Sequence, residues 1–170
     1  ERVMGYQLIE TVTVGSGGIA SVTFSDIPQD GIDLICTVSA RSTNASVING
    51  VNFRYNGIST TTYAVVGLRG DGSTASTFAS AAQSRWFFNT SGATSTANTF
   101  GSGELRISNY TLSQAKSASL DGVSENNATE ARAAIWALSE SGTSPVTSLT
   151  VSSSNLAEHS IISLYKTTAD

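Results

Sequence analysis

The stretch Leu8-Ile9-Glu10-Thr11-Val12-Thr13-Val14 alternates apolar and polar side chains, Gly15-Ser16-Gly17-Gly18 breaks the run, and Ile19-Ala20-Ser21-Val22-Thr23-Phe24 alternates again before Ile27-Pro28. A period of two sends successive side chains to opposite faces of an extended backbone, the mark of a half-buried strand. Two such runs around a glycine-rich break predict a β-hairpin closed at residues 15–18.

Outward from that block the same style continues. Ile32 to Ala40 reads as a strand with Leu34, Cys36, Val38 and Ala40 on one face, followed by a loop over Arg41 to Ser46. Gly50 to Tyr55 places Val51, Phe53 and Tyr55 together and ends at the turn dipeptide Asn56-Gly57. Tyr63 to Leu68 is apolar on both parities, the pattern of a strand covered on both sides. Arg69 to Ser84 is small and polar and reads as a long loop, as do residues 90–103. Between them, Ser84 to Asn89 is a short strand in which Trp86 and Phe88 share a face. Glu104 to Tyr110 is a strand with Leu105 and Ile107 aligned, and Lys116 to Ser119 a further short one.

Thr129 to Leu138 leaves two readings open. Its alanines suit a helix by propensity, whereas its surroundings are all strand, and the strand reading is adopted. Val146 to Val151 and Ser160 to Tyr165 follow, the latter apolar on both faces and hence central. About nine to eleven short strands and at most one short helix predict an all-β fold, a jelly-roll-like two-sheet β-sandwich. Residues 1–170 read as a single domain, with Glu1 to Tyr6 and Thr167 to Asp170 as short flexible terminal arms.

Composition narrows the function. Charged residues make up 13% of the 170, and Ser plus Thr about 29%, a mixture suited to strands and turns. The net charge is −4 and the seven arginines are scattered singly, so no nucleic-acid partner is expected. No apolar run approaches the ~20 residues of a membrane-spanning helix, no signal-peptide pattern opens the sequence, and no membrane partner is expected. Cys36 is the only cysteine and shares parity with Leu34 and Val38, which makes it a small buried hydrophobe.

Catalytic chemistry finds little to build on. The one histidine, His159, sits beside Glu158 before the last strand; an interface role is expected of it rather than a triad. One His and one Cys make no zinc site. Asp71-Gly72-Ser73 and Glu125-Asn126-Asn127 are the best oxygen-donor loops but lack the spaced acids of a calcium loop. The strand acids Glu10, Asp33, Glu104 and Glu130 show no pairing of the kind glycoside cleavage needs. Gly15-Ser16-Gly17-Gly18 leads into a strand, not the helix a phosphate cradle requires. No cofactor, no metal and no enzymatic activity are expected. Phe87 and Trp136 are the aromatic candidates for an interface.

The blocks Tyr6 to Gly18, Val22 to Gln29 with Asp33-Leu34, Phe53-Arg54-Tyr55-Asn56-Gly57, Gly103 to Tyr110 and Ser163-Leu164-Tyr165 resemble, in order and spacing, a family of tailed-bacteriophage structural proteins frequent in marine and cyanobacterial phages. Two positions depart from that family: Lys166 stands where members commonly have glycine after Leu-Tyr, and Ile58 where an Asp often follows Asn-Gly. The resemblance implies a jelly-roll-like virion protein, made in the bacterial host cytoplasm and carried on the capsid surface. Its implied role is to decorate or cement the shell, with the major capsid protein and its own copies, as a homotrimer, for partners. A tail or fibre appendage, or a receptor-binding carbohydrate module, is the alternative.

Overall fold

Alternation does produce strands on both sides of residues 15–18, but those strands do not pair with each other. The computed structural model describes residues 4–125 and 131–169, with twelve strands and no helix among them. In chain order they are β1 (Met4–Thr13), β2 (Ile19–Phe24), β3 (Leu34–Ala40), β4 (Ile48–Tyr55), β5 (Tyr63–Gly70) and β6 (Ala75–Gln83). Then come β7 (Trp86–Ser91), β8 (Gly101–Ile107), β9 (Lys116–Glu125), β10 (Ala131–Glu140), β11 (Leu149–Leu156) and β12 (Ile161–Ala169). Eight form one sheet in the order β1-β12-β3-β8-β9-β10-β5-β6, and four form the other in the order β2-β11-β4-β7. Every pairing is antiparallel.

The protein is thus an all-β two-sheet sandwich, and its pairings are nested. β1 pairs with β12 and β2 with β11; inside them β3 pairs with β8, β4 with β7 and β5 with β6. This is the logic of a long hairpin folded over, so that each pair steps together from one sheet to the other. The hairpin expected at residues 15–18 is therefore a sheet-to-sheet corner. It runs beside the corner between β11 and β12, joined to it by Val14 N–H to Ser160 O at 2.8 Å and His159 N–H to Val14 O at 2.9 Å. Gly18, at φ 73°, could not carry a side chain there, because a Cβ would lie 2.5 Å from the Leu156 carbonyl oxygen. Periodicity identifies strands but is silent on which strand supplies the partner.

Other departures have equally local causes. Residues 75–83 form a strand where a loop is expected, because β6 is an edge strand mostly of Ala, Ser and Thr around Phe78, held by backbone pairing to β5, with no alternation to betray it. β9 runs through Glu125, well beyond Ser119. Ala131–Glu140 is strand, so the helical alternative is excluded for the described part of that segment. Residues 4–6 pair with residues 167–169 and are the ends of β1 and β12, not free arms. The outward face of β5 is not covered, a point taken up below.

The core lies between the sheets. Phe24, Val51, Phe53, Trp86, Phe88, Leu105, Leu120, Leu138 and Leu164 are all buried there. Phe53 and Phe88 stack at 6.0 Å, and Tyr63 meets Trp86 edge-on at 5.4 Å. Cys36 is buried as expected, and burial pushes its thiol well above the usual range. The small sheet ends at β7, so the overhanging part of the large sheet is closed by a separate aromatic cluster. Phe87, Phe78 and Trp136 meet pairwise at 5.6–5.9 Å. The Trp136 indole lies over Gly67, where an added Cβ would fall 2.0 Å from Cε3.

Gly67→Ala is expected to lower stability by about 1–3 kcal/mol, since the indole must leave its seat. Gly70→Ala, with open space around the added methyl, should stay within about 0.5 kcal/mol of the parent. Denaturant unfolding followed by tryptophan fluorescence separates the two.

Candidate functional site

The residues that sequence reading singles out do not come together. His159 occupies the β11–β12 corner with φ 69° and an exposed side chain, and its backbone N–H serves the corner. Its imidazole makes no hydrogen bond to a serine or an acid among the described residues. Trp136 is only 5% exposed. Phe87 is half-buried against it, so the two rings seal the end of the core rather than offer a platform. The indole N–H of Trp136 is buried without a partner among the described residues.

The acids are likewise structural. Asp71 caps its own hairpin turn, accepting from Thr74 N–H at 2.8 Å, Ser73 N–H at 3.1 Å and Ser73 Oγ at 3.0 Å. Those bonds, Thr74 foremost, hold its carboxyl below the usual carboxylate range. Asn126, Asn127 and Glu130 lie outside the described residues. Glu104 and Asp121 face each other in register, both exposed on the outer face of the large sheet. No group of three or more His, Cys, Asp or Glu is arranged to hold a metal among the described residues.

Asp33 organises one end of the sheet. Arg106 donates to its Oδ2 through Nε at 3.0 Å and Nη2 at 2.6 Å, and Asn109 N–H donates to Oδ1 at 3.1 Å. Thr167 Oγ1 accepts from Asp33 N–H at 3.0 Å. Two of the sequence blocks, Asp33-Leu34 and Gly103 to Tyr110, thereby meet at one carboxylate, and Thr167, just beyond Ser163-Leu164-Tyr165, holds the Asp33 backbone. Lys166 is integrated here: its stem is buried and its Nζ pairs with Asp30, which holds that carboxyl down.

Sequence reasoning missed one buried titratable cluster. Tyr55 Oη donates to Glu140 Oε2, which also accepts from Gly142 N–H at 2.8 Å. Lys116 stands opposite Glu140 in register, and its Nζ donates to the carbonyls of Leu112 and Gln114. Burial lowers the Lys116 pKa and pushes Tyr63 up to about 12 and Tyr55 higher still. The signal was present in the sequence: Lys116 shares parity with Ala118 and Leu120, and Glu140 with Trp136 and Leu138. Lys116 and Glu140 are buried, and Tyr55 packs against Tyr63 and Trp86 at 5.9 and 5.8 Å, so this cluster is part of the core.

Among the described residues, a solvent-open concavity of about 780 Å³ lies on the outer face of β5, β6, β9 and β10. It is lined by Leu68, Val123 and Ile135, with Arg69 and Asp121 to either side. The fold and this surface define a β-sandwich with an exposed apolar face.

No protein-family model and no curated protein matches the chain. Among solved structures, it is similar to a protein of unknown function from Shewanella oneidensis MR-1. That similarity has 11% identity and a TM-score of 0.28, over 95% of this chain and 75% of the other. A likeness that slight has no bearing on fold or function.

The buried tyrosines make stability fall in alkali. A phenol whose folded pKa is raised above its ordinary value near 10 contributes stability that is intact below pH 10 and is lost as pH rises toward the folded value. For Tyr63 the loss falls between about pH 10 and pH 12 and amounts to roughly 2–3 kcal/mol. Lys116 acts in the opposite sense, but only below its ordinary value of 10.5. Urea midpoints measured across this range should drop for the parent and drop less for Tyr63→Phe.

Proposed function

We propose that the chain is a non-enzymatic virion structural protein of a tailed phage that decorates the capsid shell and stabilises it, binding the major capsid protein and its own copies. The observation that carries this reading is the broad, exposed apolar face on a cross-braced sandwich. A protein that cements a shell works by adding contact area across neighbouring subunits, and it needs a stiff body with adhesive surfaces. The sequence resemblance supports the same reading, and its blocks fall on framework elements. Tyr6 to Gly18 is β1 with its corner, Phe53 to Gly57 the end of β4 with its turn, and Gly103 to Tyr110 follows β8 into the Asp33 anchor. The resemblance further implies trimeric association.

The test is co-sedimentation of the purified protein with capsids lacking it. Saturable binding at a stoichiometry set by the number of capsomers, with a rise in the temperature at which particles disrupt, is expected, because a ligand that binds only the assembled state stabilises it. A few copies per particle, located at the tail, would replace this reading with that of an appendage. Glycan binding without capsid binding would replace it with that of a receptor-binding module.

A further inference from the structure

The two sheets differ in charge. Every acid carried by a described strand belongs to the large sheet: Glu10 on β1, Glu104 on β8, Asp121 and Glu125 on β9, and Glu140 on β10. The strands of the small sheet, β2, β11, β4 and β7, contain no Asp or Glu, and the one charge among their residues is Arg54. Arg85, immediately before β7, joins it. Phe53 pairs with Trp86 across antiparallel β4 and β7, so Arg54 and Arg85 are the next residues beyond that pair. Arg54 turns outward, since Phe53 and Tyr55 on either side of it are buried in the core. Arg85 reaches the same face by donating from Nε to Asn52 Oδ1 at 2.7 Å. Arg54 Nε donates to the Ser84 carbonyl at 3.0 Å, and Arg85 Nη1 to Ser84 Oγ at 3.4 Å. Both guanidinium groups thus bear on one residue.

Like charges facing each other on neighbouring strands destabilise a sheet, and among the described residues nothing offsets these two. Neither arginine has an ion-pair partner there. Residues 56–62, 84–85 and 141–148, the loops at this end of β4, β7 and β11, contain no acid. Asp26 lies past β2, two strands from β4, and Glu140 meets Tyr55 on the core side of the sheet. The chain has thirteen acids against nine cations, yet it places none of the acids here. Both arginines are half-buried and tied through Nε, whereas Arg54 Nη1 and Nη2 and Arg85 Nη2 make no hydrogen bond among the described residues.

We propose that Arg54 and Arg85 bind a phosphate group, free or as a monoester. Charge selects the class. A phosphate monoester carries about −1.5 to −2 at pH 7 and matches two guanidinium groups, whereas a carboxylate is matched by a single arginine fork. Donor supply agrees with charge. The free Nη groups suit phosphate oxygens, which arginine recognises through paired N–H donors. Ser84 Oγ accepts from Arg85 and keeps its own proton for an oxygen of the ligand. Thr150, opposite Arg54 in register, adds a second hydroxyl beside the pair. The anion offsets a repulsion that the empty site leaves in place, and the Nε ties hold the donors ready before it arrives. This site lies on the small sheet, apart from the exposed apolar face of the large one, and it does not rest on capsid binding.

The test is a nuclear magnetic resonance titration of the isotope-labelled protein with sodium phosphate at about pH 7.5, above the second phosphate pKa, at an ionic strength held constant with sodium chloride. The Nε–H resonances of Arg54 and Arg85 should shift along a saturable curve with a dissociation constant of about 1 mM or below. Acetate should bind at least about tenfold more weakly, and the melting temperature should rise with phosphate by mass action. Arg54→Gln and Arg85→Gln should each weaken phosphate binding at least about tenfold. Each should also leave the phosphate-free melting temperature unchanged or higher, because the repulsion is gone. Arg69→Gln, on the large sheet, should bind as the parent does. Glucose 6-phosphate separates the two sources: tighter binding than inorganic phosphate assigns the site to an ester on a saccharide, and equal or weaker binding to the free ion. Shifts of the parent that do not saturate by ~20 mM phosphate, acetate binding as tightly as phosphate, or folded Arg54→Gln and Arg85→Gln variants that bind like the parent overturn the proposal.

Discussion

The structure depends on a constraint of paired crossing. Once β1 is paired with β12, and β2 with β11, the chain cannot pass from one sheet to the other at residues 15–18 unless its partner passes at the same place. The two corners therefore run side by side and satisfy each other's backbone through Val14, His159 and Ser160. The next corner obeys the same rule. Arg41 and Ser42 bridge to Ser91 and Leu156, and the Arg41 guanidinium fastens the accompanying loop by donating to the carbonyls of Ala93, Ser95, Thr96 and Thr99. Buried backbone groups at a corner must find partners, and in a nested fold the other corner is the one within reach.

Nesting also explains the unequal sheets. The β9–β10 hairpin is inserted between the outer and inner nested pairs, and it widens the large sheet beyond what four strands can cover. β5 and β6 consequently overhang. Their inner surface is closed by Phe78, Phe87 and Trp136, with Gly67 left bare so that the indole can lie flat against the strand. Their outer surface is left to solvent with an apolar complexion. The aromatic residues Phe87 and Trp136 thus help close the core, and the exposed apolar face is built from Val66, Leu68, Val123 and Ile135, which read as ordinary strand residues.

Much of the architecture was legible from alternation. The strand positions around Val51, Phe53 and Tyr55, around Leu105 and Ile107, and around Ile162 and Leu164 follow directly from period two, because each strand has one face against the core. β6 was illegible because, as an edge strand of small residues, it takes its conformation from pairing and not from burial. Lys116 and Glu140 escaped notice because charged residues at inward parity look like exceptions until their register partners are known. The failure of the opening hairpin has the same origin: Gly15 to Gly18 is as good a turn between sheets as within one.

By itself, then, the sequence determined that this is a β-sandwich and most of the apolar side chains that enter its core, since the period of hydrophobicity is a local property of an extended chain. It also carried the markers of the phage-protein resemblance. Which strands pair, which sheet outgrows the other and which apolar residues remain uncovered were decided only by the tertiary structure. Those outcomes depend on partners more than a hundred residues apart, as Val14 and Ser160 are, and no local pattern records them.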